Sequence, residues 1–355
     1  MDSPAEKETP RRHHRTAVSP ALQRDVRRLK RAAPFLALLP LAAVAYLIAL
    51  FPSSFVIGPQ ESWTRPLAPA SSFGLSPQTV SFQSADGIPL KAWWERSWRL
   101  PVPKCTVILV HGPQSNKTAM AYPAARLLPQ GFSVLLLDLR AHGESGGAYT
   151  TFDYNEALDV QAAVQWAKTH TGGRIALLGY SSGAVAALLA AARTPGIAAV
   201  IADSAYLDKS DVLRREKDLM AHPPPGATVS FAYRIRLKLF TAPGFSWLSR
   251  QAFRLRTGVP FDAPEGYVRD AVRRIDRTPV LYLASENDPI VPRAVTEEIY
   301  RSTASPRKQL SIQPGAFHSA MAGNSRGYIA VVTAFLDNVL GTQPLSLADP
   351  IEPSP

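Results

Sequence analysis

Three residues in the second half of the chain have the types and the order of a nucleophile, an acid and a base. Ser181 lies in Gly-Tyr-Ser-Ser-Gly, residues 179–183, between a predicted strand and a predicted helix. Asp288 and His318 each follow another predicted strand. A serine hydroxyl attacks an acyl carbon when a histidine takes its proton and a carboxylate orients the imidazole. The sequence therefore predicts acyl transfer by a triad of Ser181, Asp288 and His318.

The two glycines around Ser181 indicate a sharp turn. The G-x-S-x-G pattern is typical of a strand-to-helix turn that holds its serine in a strained backbone conformation. Only small residues at positions 179 and 183 let the two chain segments pass so closely. The turn also places the hydroxyl at a helix N-terminus, where developing negative charge is favoured. A plain glycine-rich turn is the alternative, and the flanking strand and helix argue against it.

Two further carboxylates are candidates for the acid. Asp203 ends a predicted strand, and Glu286 lies two residues before Asp288 in the same loop. Only one of the two loop carboxylates can point at His318 if the loop is extended. The Asn-Asp-Pro sequence favours Asp288, and Asp203 remains an alternative.

The chain contains one cysteine, Cys105, at the start of the apolar run 105–110. This position is typical of a buried core residue rather than of a nucleophile. A single cysteine excludes an intramolecular disulfide, and the sequence has no His and Cys spacing of a metal site. No metal and no cofactor are therefore predicted.

Strand-like and helix-like segments alternate from residue 78 onward, and these elements must position the three residues. The apolar runs are typical of strands buried on both faces. The alternation predicts an α/β fold with a mostly parallel sheet between helices, and an opening hairpin adds an antiparallel edge. The predicted strands are 79–84, 88–96, 104–110, 132–137, 174–178, 197–202, 279–284 and 309–313. The predicted helices are 119–130, 154–168, 183–193, 294–301 and 325–340.

The region from residue 78 to 340 resembles the α/β-hydrolase superfamily, especially the monoacylglycerol-lipase-like and prolyl-aminopeptidase-like serine hydrolases. The matching segments are the G-x-S-x-G motif, Leu-Val-His-Gly at 109–112 and Asp-Leu-Arg-Ala-His-Gly-Glu-Ser-Gly at 138–146. The last departs from the family pattern at Ala141, where glycine is usual. The resemblance implies an α/β-hydrolase fold, and it gives His111 and His142 structural or pocket-rim positions rather than the role of a base.

The resemblance also implies an oxyanion hole made of two backbone N–H groups. One donor is expected from Ser182, the residue after the nucleophile. The other usually comes from the residue after His-Gly, which is Pro113 in this sequence and has no N–H. Gln114, through its backbone or side chain, is the replacement candidate.

An irregular segment, residues 206–277, interrupts the alternation where relatives insert a cap. It carries fourteen Lys and Arg against eight Asp and Glu. Aromatic residues among these cations suit a membrane interface or an acyl-chain pocket, which predicts a lipid-like ester or thioester as substrate. A capping helix that buries its apolar face is an equally good interpretation, and the alternation over 231–239 also fits a strand.

The N-terminal region resembles a membrane anchor. Residues 32–51 are twenty residues without a charge, long enough to cross about 30 Å of hydrocarbon as a helix. Nine Lys and Arg against four acids precede them in residues 1–31. The positive-inside rule predicts a transmembrane helix at 32–52, a cytoplasmic basic tail at 1–31 and an extracytoplasmic hydrolase domain. A cleaved signal peptide, a twin-arginine signal and a buried core helix are alternatives.

The rest of the chain divides by composition. Residues 53–75 are rich in Ser, Pro and Gly and are predicted to be a linker. The hydrolase domain is predicted at 76–341, and a disordered tail at 342–355. The formal net charge of +11 comes from the excess of cations in the basic tail and the cap, so no nucleic-acid partner is predicted.

The leading functional prediction is a serine hydrolase that cleaves carboxylic esters through an acyl-enzyme. A serine peptidase or amidase of the same fold is the first alternative. A catalytically degenerate hydrolase that serves as a binding module is the second, and Pro113 favours it. The expected partners are a small-molecule or lipid-like ester and the membrane, and no particular oligomeric state is implied.

Overall fold

A computed structural model of the chain describes residues 68–222, 245–262, 267–315 and 317–345, with short runs inside 24–45 and single residues inside 231–238. The chain divides into two units, residues 1–48 and 49–355. In the first unit, the described residues are helical. None of the helices in the described part of the chain combines the length and the apolar character that crossing a membrane requires.

Several predicted regions lie wholly or partly outside the described residues. Of the predicted membrane span, residues 32, 35–37 and 46–52 are outside, as are most of the basic tail, residues 53–67 of the predicted linker and residues 346–355 of the tail. The last residues of the predicted linker are described: a short 3₁₀-helix at Ala70–Phe73 precedes Leu75, which is buried in the core. The last residues of the predicted linker thus pack against the core of the domain.

The second unit is built on an eight-stranded sheet in the order β1-β2-β4-β3-β5-β6-β7-β8. The first two strands form the predicted hairpin, β2 pairs antiparallel with β4, and every other pairing is parallel. The strands are β1 Gln78–Gln83, β2 Pro89–Glu95, β3 Thr106–Val110, β4 Ser133–Leu137, β5 Ile175–Tyr180, β6 Ala199–Asp203, β7 Val280–Ser285 and β8 Lys308–Gln313. The mostly parallel sheet with an antiparallel edge is therefore confirmed.

Helices cover both faces of this sheet. They are α1 Ala121–Leu127, α2 Glu156–His170, α3 Ser182–Ala191, α4 Lys209–Ala221, α5 Phe245–Thr257, α6 Tyr267–Arg273, α7 Arg293–Ser302, α8 Ala320–Gly323 and α9 Ser325–Leu340. Side chains of α2, α3, α6 and α7 pack in one core cluster, and those of α1 and α9 pack in another. In β3, Ile108 belongs to the first cluster and Leu109 to the second, because successive side chains of a strand point to opposite faces.

Two segments differ from their predicted form. The predicted helix 119–130 consists of a 3₁₀-turn, the short α1 and a second 3₁₀-turn at Leu128–Gln130, where Pro129 lacks the N–H that an α-helix needs. In the predicted cap, α6 buries Val268 and Val272 in the main core, so this part of 206–277 belongs to the layer of helices on the sheet. The described residues between 231 and 238 are helical, which argues against a strand there.

Candidate active site

Ser181 is the single residue between the end of β5 and the start of α3. Its backbone has φ 54° and ψ −120°, a conformation that is strained for any residue with a side chain. A Cβ atom on Gly179 would lie 2.3 Å from the carbonyl oxygen of Gly183. A Cβ atom on Gly183 would lie 2.4 Å from the carbonyl oxygen of His111. These distances confirm why the turn needs glycine on both sides of the serine.

His318 lies between Ser181 and Asp288. Its Nε2 is 2.9 Å from Ser181 Oγ, and its Nδ1 is 2.9 Å from Asp288 Oδ2. Ser181 is 2% exposed, while the imidazole keeps 20% of its surface. The structure therefore brings the three residues that were predicted from the sequence into one chain of hydrogen bonds.

The loop after β7 fixes the carboxylate of Asp288. Its second oxygen, Oδ1, accepts the backbone N–H groups of Ile290 at 2.8 Å and Val291 at 2.9 Å. These bonds leave Oδ2 directed at the imidazole. Glu286 is exposed, and its backbone N–H donates to the carbonyl oxygen of Gln313 at the end of β8. Of the two loop carboxylates, Asp288 is the one that reaches His318.

Asp203, the alternative acid, lies at the end of β6 and is 1% exposed. Its carboxylate accepts hydrogen bonds from the backbone N–H of Ala320 and the hydroxyls of Ser204 and Ser319, rather than from the imidazole. Burial raises the pKa of Asp203 to about 6. Asp203 therefore contacts the segment that follows His318, not the ring.

The residues predicted for the oxyanion hole lie beside Ser181. Pro113 and Gln114 line the same cavity as Ser181. Gln114 has φ 58°, which few non-glycine residues adopt. Ser182 is the first residue of α3, so its N–H has no carbonyl partner within that helix. The negative charge that develops on the carbonyl oxygen of a bound acyl group would lie next to these residues.

The segment 138–146 is held by a buried carboxylate. Asp138 accepts the backbone N–H and the Nζ of Lys117, at 2.7 and 2.5 Å, and the backbone N–H of Glu144 at 2.9 Å. A Cβ atom on Gly143 would lie 2.1 Å from Asp138 Cγ, so only glycine fits there. Ala141 has φ 59°, a left-handed conformation that glycine adopts more readily than alanine.

His111 and His142 are buried against each other, with ring centroids 5.1 Å apart. Burial, followed by the neighbouring His142, lowers the pKa of His111 to about 3. The Nε2 of His111 accepts the N–H of Leu139 at 3.2 Å, which requires a neutral ring. Burial also lowers the pKa of His142. This arrangement supports the structural positions that the resemblance implies for both histidines.

A cavity of about 220 Å³ opens beside Ser181. Its wall is mostly aromatic and aliphatic and includes two charged side chains. The lining residues besides the triad and the oxyanion candidates are Phe152, Tyr180, Tyr206, Lys209, Val212, Leu213, Glu216 and Phe261. Phe152 has φ 72°, an unusual conformation for a bulky residue. A mainly apolar cavity with a few polar groups can hold the acyl part of an ester.

A buried ion pair fixes the side of this cavity that is formed by α4, Phe261 and the loop that carries Phe152, which we call the cap side. Lys209, at the start of α4, is 4% exposed and lies 3.3 Å from Asp153 Oδ1. Asp153 is fully buried and also accepts the hydroxyl of Tyr206 at 2.7 Å. The ammonium also lies 5.5 Å from the ring centre of Phe261. The first turn of α4 is thereby tied to the loop that carries Phe152.

Phe152, Lys209 and Glu216 are cavity residues that were not predicted from the sequence. Lys209 and Glu216 are seven residues apart, about two helical turns, so they share one face of a helix. That spacing was the available signal. Nothing in the sequence predicted the position of Phe152. Its place in the cavity depends on a positive φ, which a phenylalanine rarely adopts.

The described residues contain no group of three or more His, Cys, Asp or Glu that could hold a metal ion. Cys105 is buried, and burial raises the pKa of its thiol to about 12. A thiol in this state is not a nucleophile. It packs in the core beside Leu127 and Phe132, in agreement with the structural interpretation of this residue.

The chain is similar to several known proteins. YqkD of Bacillus subtilis, an uncharacterized protein, is 28% identical over 238 residues, which cover 66% of this chain and 72% of YqkD. The bem46 protein of Schizosaccharomyces pombe is 22% identical over 294 residues, 81% of this chain and 84% of its own. Among solved structures, an esterase of Pyrococcus furiosus matches with a TM-score of 0.62 and 23% identity, over 80% of this chain and 98% of the esterase.

A sequence profile identifies the family. The profile of Hydrolase_4, described as serine aminopeptidase, S33, matches residues 101–324. This range begins before β3 and includes all three residues of the predicted triad. The esterase of known structure shares the fold, and the profile covers more than half of the chain. The chain therefore belongs to the Hydrolase_4 family of α/β-hydrolases.

Proposed function

We propose that this protein hydrolyses carboxylic esters through an acyl-enzyme on Ser181. The observation that carries the proposal is the hydrogen-bonded chain from Ser181 Oγ through His318 to Asp288, with 2.9 Å at each step, at the wall of a mainly apolar cavity. The esterase of Pyrococcus furiosus, which shares the fold, is consistent with it. Three groups in contact and in this order have the arrangement that serine acyl transfer requires.

The mechanism follows from these contacts. His318 Nε2 takes the hydroxyl proton as Ser181 Oγ attacks the acyl carbon, and Asp288 stabilises the resulting imidazolium. The imidazolium then gives its proton to the leaving alcohol, which leaves the acyl group on Ser181. A water molecule, activated by the same imidazole, attacks the acyl-enzyme and releases the acid. The buried Oδ2 of Asp288 keeps the ring in the tautomer that this cycle needs.

The oxyanion would be stabilised by the N–H of Ser182 and by Gln114. Because Pro113 cannot donate, the left-handed turn at Gln114 is the feature that would bring a second donor to the acyl oxygen. Losing one such donor costs about 3–4 kcal/mol of transition-state stabilisation. Gln114→Gly keeps the left-handed turn and the backbone N–H and removes the side-chain amide, so kcat is expected to fall by roughly 10²–10³-fold if the side chain is the donor and to stay near wild type if the backbone is.

The substrate would be an ester or thioester with an apolar acyl group. Phe152, Leu213 and Phe261 form an apolar wall beside the nucleophile. Fourteen Lys and Arg in the segment 206–277 suit an anionic lipid surface, which supports a lipid-like substrate. Esters presented in anionic vesicles should then be cleaved faster than the same acyl group on a short soluble alcohol. Equal rates would exclude the lipid-like substrate.

The test of the reaction uses a fluorophosphonate probe and a panel of p-nitrophenyl esters. The wild-type chain should be labelled and should release p-nitrophenol, whereas Ser181→Ala should do neither. Ser302→Ala, at the end of α7 and away from the cavity, is the matched control and should behave as wild type. Wild-type protein that is not labelled would indicate the degenerate binding module instead.

Aminopeptidase activity is the second candidate, and Glu216 is the observation that favours it. This carboxylate lines the cavity together with Ser181, where it could bind the ammonium of an aminoacyl substrate. The family description names serine aminopeptidases. Under this alternative, Glu216→Gln abolishes cleavage of aminoacyl p-nitroanilides and leaves ester cleavage within twofold. Asp218→Asn on the exposed side of α4 is the control.

A single membrane span at 32–52, with the basic tail 1–31 cytoplasmic, is also a proposal. The uncharged stretch of twenty residues and the preceding cations support it. In membranes washed at alkaline pH, the full chain should stay in the pellet, and a chain that lacks residues 1–52 should be released. Release of both would remove the anchor from the proposal. A hydrolase domain outside the cytoplasm predicts digestion by protease added to intact cells.

A further inference from the structure

Asp203 is a buried carboxylate that the mechanism above does not use. Its Oδ1 accepts the backbone N–H of Ala320 at 3.1 Å and the hydroxyl of Ser204 at 3.0 Å. Its Oδ2 accepts the hydroxyl of Ser319 at 3.3 Å. In the described part of the chain, Asp203 forms no ion pair with Lys or Arg, although it is 1% exposed. A buried carboxylate without a cationic partner carries a large desolvation cost.

The donors to Asp203 link it to both sides of the reaction centre. Ser319 and Ala320 directly follow His318, so the carboxylate holds the loop that carries the imidazole. The backbone carbonyl oxygen of Asp203 accepts the N–H of Ser181 at 2.8 Å. In the sheet, Asp203 is paired with Tyr180, the last residue of β5. One residue at the end of β6 therefore touches the turn of the nucleophile and the loop of the base.

These hydrogen bonds do not need a charge. An asparagine could accept the Ala320 N–H and the Ser204 hydroxyl through its carbonyl oxygen, and its amide could donate to Ser319. It would also avoid the cost of burying an ion. What aspartate adds over asparagine is a negative charge. During acyl transfer, the group that gains positive charge in this region is the imidazole of His318.

We propose that the ionised side chain of Asp203 is a second carboxylate for His318, which positions its loop and stabilises the imidazolium formed during acyl transfer. Asp203 acts through the loop and through space, so it is a positioning residue. The inference rests on the proposed Ser181 mechanism. The attraction is strengthened because Asp203 is buried and only 20% of the imidazole surface is exposed, and charges away from water interact more strongly than charges in solvent. Consistent with this, charge on His318 opposes the effect of burial on the pKa of Asp203.

The charged and titratable groups around this pair come from several elements. Asp288, after β7, contacts the other side of the imidazole. Tyr180 at the end of β5 donates its hydroxyl to the carbonyl oxygen of His318, and burial raises the pKa of that phenol. Tyr328 in α9 lies near Asp203, and burial likewise raises its pKa. Lys209 and Glu216 in α4 face the cavity that His318 lines.

Asp203→Asn tests the charge while it keeps the hydrogen bonds. We expect kcat of the full chain on a p-nitrophenyl ester to fall about tenfold. The acid limb of the pH–rate profile should move to lower pH by about half a unit, because a negative charge near the imidazole is lost. Asp270→Asn, an exposed carboxylate in α6, is the control and should change neither quantity.

Thermal stability separates this role from a merely structural one. The pKa of Asp203 in the folded chain, about 6, is above its usual value of 3.8, so ionisation destabilises the fold as pH rises through that interval. Asp203→Asn should therefore raise Tm at pH 8 and change it less at pH 4. A structural carboxylate predicts the opposite, a lower Tm at pH 8.

The proposal is overturned if Asp203→Asn leaves the acid limb in place and kcat within twofold, or if it lowers Tm at pH 8. Should that variant fail to fold, Ser204→Ala decides. It removes a hydroxyl donor to Oδ1, which raises the pKa of Asp203, so the carboxylate becomes ionised only at higher pH and the acid limb should move to higher pH. No movement in Ser204→Ala would overturn the proposal as well.

The failure of the proposed function would look different. If wild type is neither labelled by a fluorophosphonate nor active on esters, the Ser181 mechanism itself is wrong. If wild type is labelled at Ser181 and the pH dependence of its labelling rate is the same in Asp203→Asn, only the role of Asp203 is wrong.

Discussion

The sheet side and the cap side of the cavity hold their side chains by different means. On the sheet side, Ser181, Asp288 and His318 follow the ends of strands, and backbone N–H groups or close glycine contacts fix the nucleophile and the acid. On the cap side, Phe152 and Phe261 meet through ring contacts, with centroids 6.4 Å apart, and an ion pair of Lys209 anchors them.

This difference suggests that the sheet side sets the rate of the reaction and that the cap side sets the preference for the acyl group. The sheet side has no space for an added atom at Gly179 or Gly183, so the positions of the proposed reacting groups follow from the backbone. The cap side consists of side chains whose size can change while the sheet stays intact. We therefore expect changes on the sheet side to reduce the rate for every substrate. Changes on the cap side should alter which acyl groups are accepted.

The largest expected effect is that of His318→Ala. Without the base, Ser181 has no proton acceptor, and kcat on any ester should fall by roughly 10⁴–10⁶-fold. The measurement is steady-state hydrolysis of a short and a long p-nitrophenyl ester. His170→Ala, an exposed histidine at the end of α2, should keep wild-type rates. A loss confined to one ester would contradict the assignment of the sheet side to chemistry.

Lys209→Met breaks the buried ion pair on the cap side. It leaves Asp153 fully buried without its cation, which should reduce the free energy of unfolding by about 3–5 kcal/mol. Chemical denaturation followed by circular dichroism measures this change. Lys217→Met in the same helix should change stability by less than about 0.5 kcal/mol. If the two variants are equally stable, the ion pair does not anchor the cap side.

Gly183→Ala tests the packing of the turn around Ser181. The added Cβ would lie 2.4 and 2.5 Å from the carbonyl oxygens of His111 and Val110, both backbone atoms. We expect a loss of about 1–3 kcal/mol in the free energy of unfolding, with slower fluorophosphonate labelling. Gly173→Ala, where nothing lies within 4 Å, is the control. Normal labelling of Gly183→Ala would show that the turn can relax.

The smallest expected effect is a change of substrate preference in Phe152→Ala. Removing the ring enlarges the apolar wall, so the ratio of kcat/KM for an octanoyl over an acetyl ester should rise about tenfold. The ratio is measured within each variant, which removes any general loss of folded protein. Trp98→Ala, at an exposed aromatic side chain, should leave the ratio unchanged. An unchanged ratio in Phe152→Ala would place the acyl group elsewhere.

Much of the fold could be predicted from the sequence, because buried strands and helices differ in the spacing of apolar residues. The final helix, 325–340, has the bounds that its sequence predicts. The predicted end of a helix was wrong where a proline interrupted it, as at Pro129 in the predicted helix 119–130. The triad could be proposed because each member follows a strand, and parallel strands end at the same edge of a sheet. The residues of the cavity wall could not be predicted, because Phe152 and Lys209 come from segments that do not follow the end of a buried strand.

By itself, the sequence determined the α/β frame and predicted Ser181 and His318, with Asp288 and Asp203 both as candidates for the acid. Their motifs are local, and the frame that brings them together follows from the alternation of apolar runs. Only the tertiary structure decided between the carboxylates. Asp288 and Asp203 both follow buried strands, so spacing cannot separate them. The path of the loop after β7 brings Asp288 to the imidazole, whereas Asp203 meets the backbone beyond it. Which carboxylate reaches the imidazole depends on the direction in which each loop and side chain points after its strand. The local sequence around each aspartate does not determine that direction.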